Sequence, residues 1–163
     1  MVKLSAFVLS GIFAAAALPC HAAYEAYMQV KGMKRGAFKG AGRSKSDNIP
    51  ILKYTMTLGS KPSITVVIEG VDGAEFSSAL TNKETLASVV IRVTKPAKDG
   101  KVQLLETITL VQASVHSMSQ TFDNNGAPLD TITFEYLQSR ITQGTGQVVS
   151  ADAWKLGPAN PGR

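Results

Sequence analysis

The sequence predicts a mainly β protein: an antiparallel two-sheet β-barrel with one short α-helix. Three observations lead there. Apolar residues recur at every second position through most of residues 24–156, the period of a strand with one buried face. Clusters of Gly, Pro, Asn and Asp interrupt that pattern at short intervals, which suits many short strands joined by turns. Only one stretch, near residue 75, changes to a helical spacing.

The first strand is Tyr24–Lys31, with Tyr24, Ala26, Met28 and Val30 on one face and Glu25, Gln29 and Lys31 on the other. A second runs near Ile51 to Leu58, placing Leu52, Tyr54, Met56 and Leu58 together. After the turn Gly59-Ser60-Lys61-Pro62, Ser63–Glu69 is rich in β-branched residues, which pack well on a pleated surface. The helix opens with capping-box spacing: Asp72 as N-cap, Glu75 three residues on, then Phe76, Ala79 and Leu80 on one face. It is too short to be stable alone and must dock on a sheet.

Beyond Asn82 the period returns to two, with Ala87, Val89, Ile91 and Val93 on one face. Lys95–Gly100 is a turn. Lys101 to Phe122 is one long β stretch, bent near Gln112-Ala113; Val102–Val111 is apolar on much of both faces, as a central strand is. Asp123-Asn124-Asn125-Gly126 is a hairpin signal, since Asn-Gly tolerates the positive φ of a type I′ turn. Ile132, Phe134 and Tyr136 mark the inner face of the return strand, and a last strand includes Val148, Val149 and Trp154.

Both ends fall outside this domain, which spans 23–156. Residues 1–22 read as a signal peptide: Lys3, an uncharged apolar run from Leu4 to Leu18, Pro19, then Cys20-His21-Ala22 with cleavage after Ala22. Residues 157–163 hold two prolines and two glycines and read as a flexible tail. Cys20 is the only cysteine, so cleavage leaves a chain without thiols, suited to an oxidising compartment. That implies a secreted or periplasmic protein with no membrane association once the segment is removed. The net charge of +5 is too small to imply a nucleic-acid partner.

One long loop stands out, Gly32 to Asn48. Loops of this length in a compact domain usually carry function or are disordered. Lys34, Arg35, Lys39, Arg43 and Lys45 follow Lys31 with no acid among residues 31–45, and glycines interleave. Lys45-Ser46 follows Ser44 where a P-loop needs glycine, and no βαβ unit follows for a dinucleotide fingerprint. Phe38 is the only aromatic there able to stack on a base. The loop is therefore read as a candidate inter-subunit arm made of Lys34, Arg35, Phe38, Lys39, Arg43 and Lys45, against anion binding or a plain solvated loop. Its basic residues lie outside the alternating strands, so their loss should remove no core area.

Groups that converge for catalysis are missing, and the chain is read as no enzyme. His116 is the only histidine after residue 22; Ser114, two positions away on a strand, lies about 7 Å off, beyond hydrogen-bond reach. There is no paired His/Cys spacing for a metal, so no metal or cofactor is expected. Asp123, Asn125 and Asp130 resemble the start of a calcium loop, but the glutamate at the twelfth position is absent. Glu69, Asp72 and Glu75 cluster at the helix start, where carboxylates favour the positive end of the helix dipole.

The order of these elements resembles the Hcp (haemolysin-coregulated protein) family, the tube proteins of type VI secretion. The matching segments are Tyr27–Gly32, Asp47–Tyr54, Val71–Leu80, Leu105–Val115 and Leu129–Arg140, which ends its motif in Phe134-Glu135-Tyr136. The resemblance covers roughly residues 24–156. It implies a two-sheet barrel that assembles with itself as a homohexameric ring, stacks into a tube with type VI components or effectors, and is not an enzyme. It also implies that the loop after the first strand contacts neighbouring rings. The signal-like segment is foreign to that pattern and leaves a second reading, a periplasmic or secreted module of the same fold that binds a ligand outside any tube.

Overall fold

The computed structural model describes residues 24–40, 46–70, 73–97, 100–144 and 148–153, the last as backbone only. The expected signal peptide, Arg43, Lys45, Asp72, Trp154 and the tail lie outside the described residues. The strands are β1 (Glu25–Gly32), β2 (Gly36–Ala37), β3 (Ile49–Ile51), β4 (Lys53–Thr57) and β5 (Ser63–Glu69). After α1 (Ala74–Thr81) come β6 (Thr85–Pro96), β7 (Val102–Phe122), β8 (Pro128–Glu135), β9 (Gln138–Gln143) and β10 (Val148–Ala153). Every pairing among them is antiparallel.

The 21-residue β7 belongs to two sheets. Its first part, up to Ser114, pairs with β6 on one side, and Glu106–Val111 pair with β9 on the other. From Ser114 to Phe122 it pairs with β8. One sheet is thus β3–β1–β6–β7–β9–β10, and the other is β7–β8–β5–β4. The expected bend is present: Gln112 has φ +52. The partner strand breaks at Tyr136-Leu137, between the pairs Ser114↔Glu135 and Val111↔Gln138 that flank the bend. Strand and partner turn the corner together.

The barrel is not closed by strand pairing. The hydrogen-bonded path ends in β3 at one side and β4 at the other. These two are consecutive in the chain, and Leu52 between them donates its N–H to Val67 O at 2.8 Å. The segment expected as one strand from Ile51 to Leu58 therefore leaves β1 and joins β5 within one residue. Leu52 at the kink and Leu58 beyond the end of β4 are exposed, and only Tyr54 and Met56 pack against the core.

Inward residues of both sheets make one core: Met28, Val30, Val89, Ile91, Ile108 and Leu110 from the first, and Ile64, Val66, Ile68, Ile132 and Phe134 from the second. The helix closes one side with Phe76 and Ala79. Phe76 stands between Phe38 and Phe134, with ring centroids at 5.2 and 5.9 Å, spacings typical of favourable aromatic pairs. The helix cap differs from expectation. Gly73 is the N-cap and no side chain bonds there. A side chain at Gly73 would collide with the Asp130 carboxylate and the Met118 methyl, so close packing keeps this position glycine.

The β7–β8 hairpin also differs from a type I′ turn. Asn124 and Asn125 are not in the left-handed region; Gly126 alone is, at φ +80. Gly126 N–H donates to Asp123 O, and Asp123 Oδ1 accepts from the Asn125 and Ala127 N–H groups. This is a three-residue loop ending in a left-handed glycine, and it explains the Asp123/Asn125 pattern without calcium.

Tyr54 is half-buried against the core and feels the charge of Glu106 on β7. Burial and then the Glu106 charge raise the Tyr54 pKa above its ordinary value. Above about pH 10 an unfolded tyrosine loses its proton while the folded Tyr54 keeps it, so stability falls as pH rises through that window. Tyr54→Phe is expected to flatten the fall of melting temperature above about pH 10. An unchanged alkaline slope would remove Tyr54 as its source.

Candidate functional site

The segment Gly32 to Asn48 is not one free loop. Its first part is a tight turn, Met33–Arg35, that returns the chain as β2 alongside β1, pairing Gly32 with Gly36 and Lys31 with Ala37. Gly36 supplies φ +80. Phe38 N–H then donates to Val30 O at 2.8 Å, and this return along β1 drops the Phe38 ring into the core against Phe76. Phe38 is 1% exposed. The sequence reading that set it on a contact arm is corrected: it is a core residue, and its neighbours in sequence are held by it.

Two carboxylates fix the same stretch. Glu84, at the start of β6, has a side chain 3% exposed, and its Oε2 lies 3.1 Å from Arg35 Nε. Its Oε1 accepts the Lys34 N–H at 3.2 Å. Gly32 sits so close that a Cβ there would meet Glu84 Oε1 at 2.5 Å. Glu75, on the first turn of α1, accepts the Lys39 N–H at 2.7 Å. It therefore ties the loop to the helix instead of completing a capping box. Further along, Gly40 N–H donates to Ser46 O, which brings together the two ends of residues 41–45. Asn48 accepts from Gln29 Nε2, and Gln29 in turn accepts from Arg92.

The described cations of the loop thus separate by role. Arg35, with 39% of its side chain exposed, pairs with a buried acid; its loss would touch the fold, contrary to the sequence expectation. Lys34 and Lys39 bond through their backbone and leave their exposed ammonium groups outward. Beside them, an open groove of about 220 Å³ lies between Gln29, Lys31, Ala37, Asp47 and Ser88. That is below the roughly 300–1,000 Å³ typical of small-molecule sites. Glu84, which holds the loop with Glu75, lies between the helix and β6 and carries no period-two or capping signal in the sequence. Asp130 is buried beside Gly73 and accepts from Gln120.

Elsewhere, His116 Nδ1 lies 3.2 Å from Glu135 Oε1 across the β7 bulge. Among the described residues no group of three His, Cys, Asp or Glu side chains is placed to hold a metal ion. No helix among them is long and apolar enough to cross a membrane.

The sequence matches the family model "Type VI secretion system effector, Hcp" over residues 72–143. This interval runs from the helix entry to the end of β9. No curated protein matches the sequence. The structure is similar to secreted protein Hcp3 from Pseudomonas aeruginosa, at TM-score 0.71 and 17% identity, covering 82% of this chain and 99% of that one. An Hcp1 variant from E. coli EAEC 042 gives TM-score 0.71 at 16% identity, covering 82% and 100%. Hcp1 from Salmonella typhimurium gives 0.67 at 11%, covering 81% and 95%. The resemblance stated from the sequence holds in both the sequence match and the fold.

The site geometry makes a direct stability prediction. Glu84→Ala removes two acceptors for charged or backbone donors; hydrogen bonds to charged groups contribute about 1.5–3 kcal/mol each. We expect it to lower unfolding stability by about 2–3 kcal/mol in urea titrations, and Arg35→Ser to lower it measurably because it leaves Glu84 buried and unpaired. Lys39→Ser keeps its N–H bond to Glu75 and should change stability by less than about 0.5 kcal/mol. Equal effects for all three would show that the loop is not held by Glu84.

Proposed function

We propose that this chain, which has the Hcp fold and the Hcp family match, is a non-enzymatic structural subunit of a type VI secretion tube. In this reading it assembles into hexameric rings that stack and carry or accompany effectors. The observation that carries it is the sequence match across α1 and the long β7–β9 hairpin, in a fold that spans nearly the full length of Hcp proteins. A ring needs a heterologous interface that closes on itself, and the same kind of interface, head to tail, stacks rings. The clamped loop supports a contact role: a surface held by Phe38, Glu75 and Glu84 loses little conformational entropy when a neighbour docks.

Residues 1–22 favour a second reading. A chain routed to the periplasm by a signal peptide would serve as a secreted or periplasmic module of the same fold. The oligomeric mass separates the two. Light scattering on residues 23–163 should give a hexamer; a strict monomer at micromolar concentration, across salt and pH, would overturn the ring and leave the module.

The N-terminus is tested separately. Mass spectrometry of exported protein should find a chain beginning at Ala23. An intact Met1 in a cytoplasmic pool would overturn the signal reading and leave an ordinary tube subunit.

The loop is tested with described side chains that do not hold the fold. Replacing Lys34 and Lys39 with serine, with Arg35 kept, should weaken ring stacking in electron micrographs while melting temperature stays within a degree or two, as expected for surface charges. Unchanged stacking would return the loop to a solvated surface.

A further inference from the structure

The outer face of the first sheet carries positive charge that the described residues leave unmatched. Lys31 on β1, Arg92 on β6 and Arg140 on β9 share one parity, since their neighbours Val30, Ile91 and Ile141 pack in or against the core. The register joins them into one surface, with Arg92 aligned to Tyr27 and Arg140 aligned to Thr109. Among the described residues of β1, β6, β7 and β9, Glu25 is the one acid on that face, and it stands at the opposite end of β1 from Lys31. Asp47 lines the groove beside Lys31. No ion pair joins any of the three cations to a carboxylate among the described residues.

Arg92 is half-buried, and a charge withdrawn from water costs free energy unless it is paired. Its Nη1 donates to Gln29 Oε1 at 2.7 Å, and Gln29 Nε2 donates in turn to Asn48 Oδ1 at 2.8 Å. A guanidinium has five N–H donors, so this relay fixes the fork and leaves most of it open to an acceptor outside the chain. A pre-held arginine loses little freedom when a carboxylate arrives to be bound by two parallel N–H groups. Spacing then sets the size of the partner. Arg92 and Arg140 lie two strands and one row apart, and Lys31 and Arg92 one strand and two rows, on the order of 12–15 Å by strand geometry. No single small anion spans that. Between the cations stand Val90, Thr109 and Val111, the last 37% exposed. An apolar centre inside a charged rim is the anatomy of a protein interface. A nucleic acid would need a denser cationic track and rings to stack on, and Tyr27 is the one aromatic on this face among the described residues.

We propose that this face is a docking surface for an acidic polypeptide segment, one that carries several carboxylates with apolar side chains among them. Arg92 is the anchor and takes a carboxylate with its open donors, while Arg140 and Lys31 take others. The assignment does not depend on the ring reading. The test is fluorescence anisotropy with a labelled peptide of alternating glutamate and alanine. The chain should bind it with an affinity that falls as salt is raised. Arg92→Gln should weaken binding about tenfold, and the more exposed Arg140→Gln about two- to fivefold. Arg92→Lys keeps the charge but not the fork and should fall between the parent and Arg92→Gln. Lys53→Gln, on the second sheet, should leave binding unchanged. Arg140 is exposed and outside the core, so its variant tests the face without touching the fold. No binding at low salt, or equal affinity for the parent, Arg92→Gln and Arg140→Gln, would overturn the docking surface. Tighter binding of a labelled oligothymidylate of equal length would overturn the polypeptide as its partner. A strict monomer that binds the peptide would overturn the ring and leave this assignment standing; a ring that does not bind would do the reverse.

Discussion

Everything in this fold depends on one strand serving two sheets. β7 runs 21 residues and must turn from the first sheet into the second without breaking. The turn is taken by Gln112 in the left-handed region, a conformation that costs a non-glycine residue on the order of 1 kcal/mol or more. The cost is tolerated because the ladder continues on both sides of it: the β8–β9 partner breaks at the matching place and resumes in the same register. One hairpin then sets the angle between the sheets, and every inward side chain of the core inherits its position from that angle. At the opposite corner the chain solves the same problem differently, by passing from β1 to β5 through Leu52.

The helix does not simply cover the core; it also fixes the loop. Phe76 receives Phe38, Glu75 receives the Lys39 N–H, and the residue that follows the helix turn, Glu84, receives Lys34 and Arg35. A buried carboxylate is tolerated only when its oxygens are matched by donors, and Glu84 is matched by donors from the loop itself. Loop and helix are therefore coupled. A stretch that is glycine-rich and basic in composition becomes, at its described ends, a shaped part of the domain surface.

Much of this was legible in the residues. Period-two patterning located β1, β6 and β8, β-branched residues located β5, the apolar run located β7, and the bend expected near Gln112-Ala113 falls at Gln112. What was not legible came from contacts distant in sequence. Phe38 sits in a segment with no periodicity, so nothing local marked it as core; its burial follows from β2 folding back on β1 and from Phe76, 38 positions on. The burial of Glu84 and Asp130 was not legible, because a carboxylate is buried only where tertiary structure supplies its partners. The cap moved from Asp72 to Gly73 because Asp130 and Met118 pack where a side chain would stand. Trp154, Arg43 and Lys45 lie outside the described residues.

These placements change how the net charge of +5 should be read. Two of the twelve acids are buried among the described residues, Glu84 against Arg35 and Asp130 beside the helix start. Among the described residues the cations Lys31, Arg92 and Arg140 gather on the outer face of the first sheet, with Lys34 and Lys39 on the loop beside it. For a chain that meets copies of itself, this asymmetry is a constraint. Like-charged faces repel when brought together, by an amount that grows as they converge.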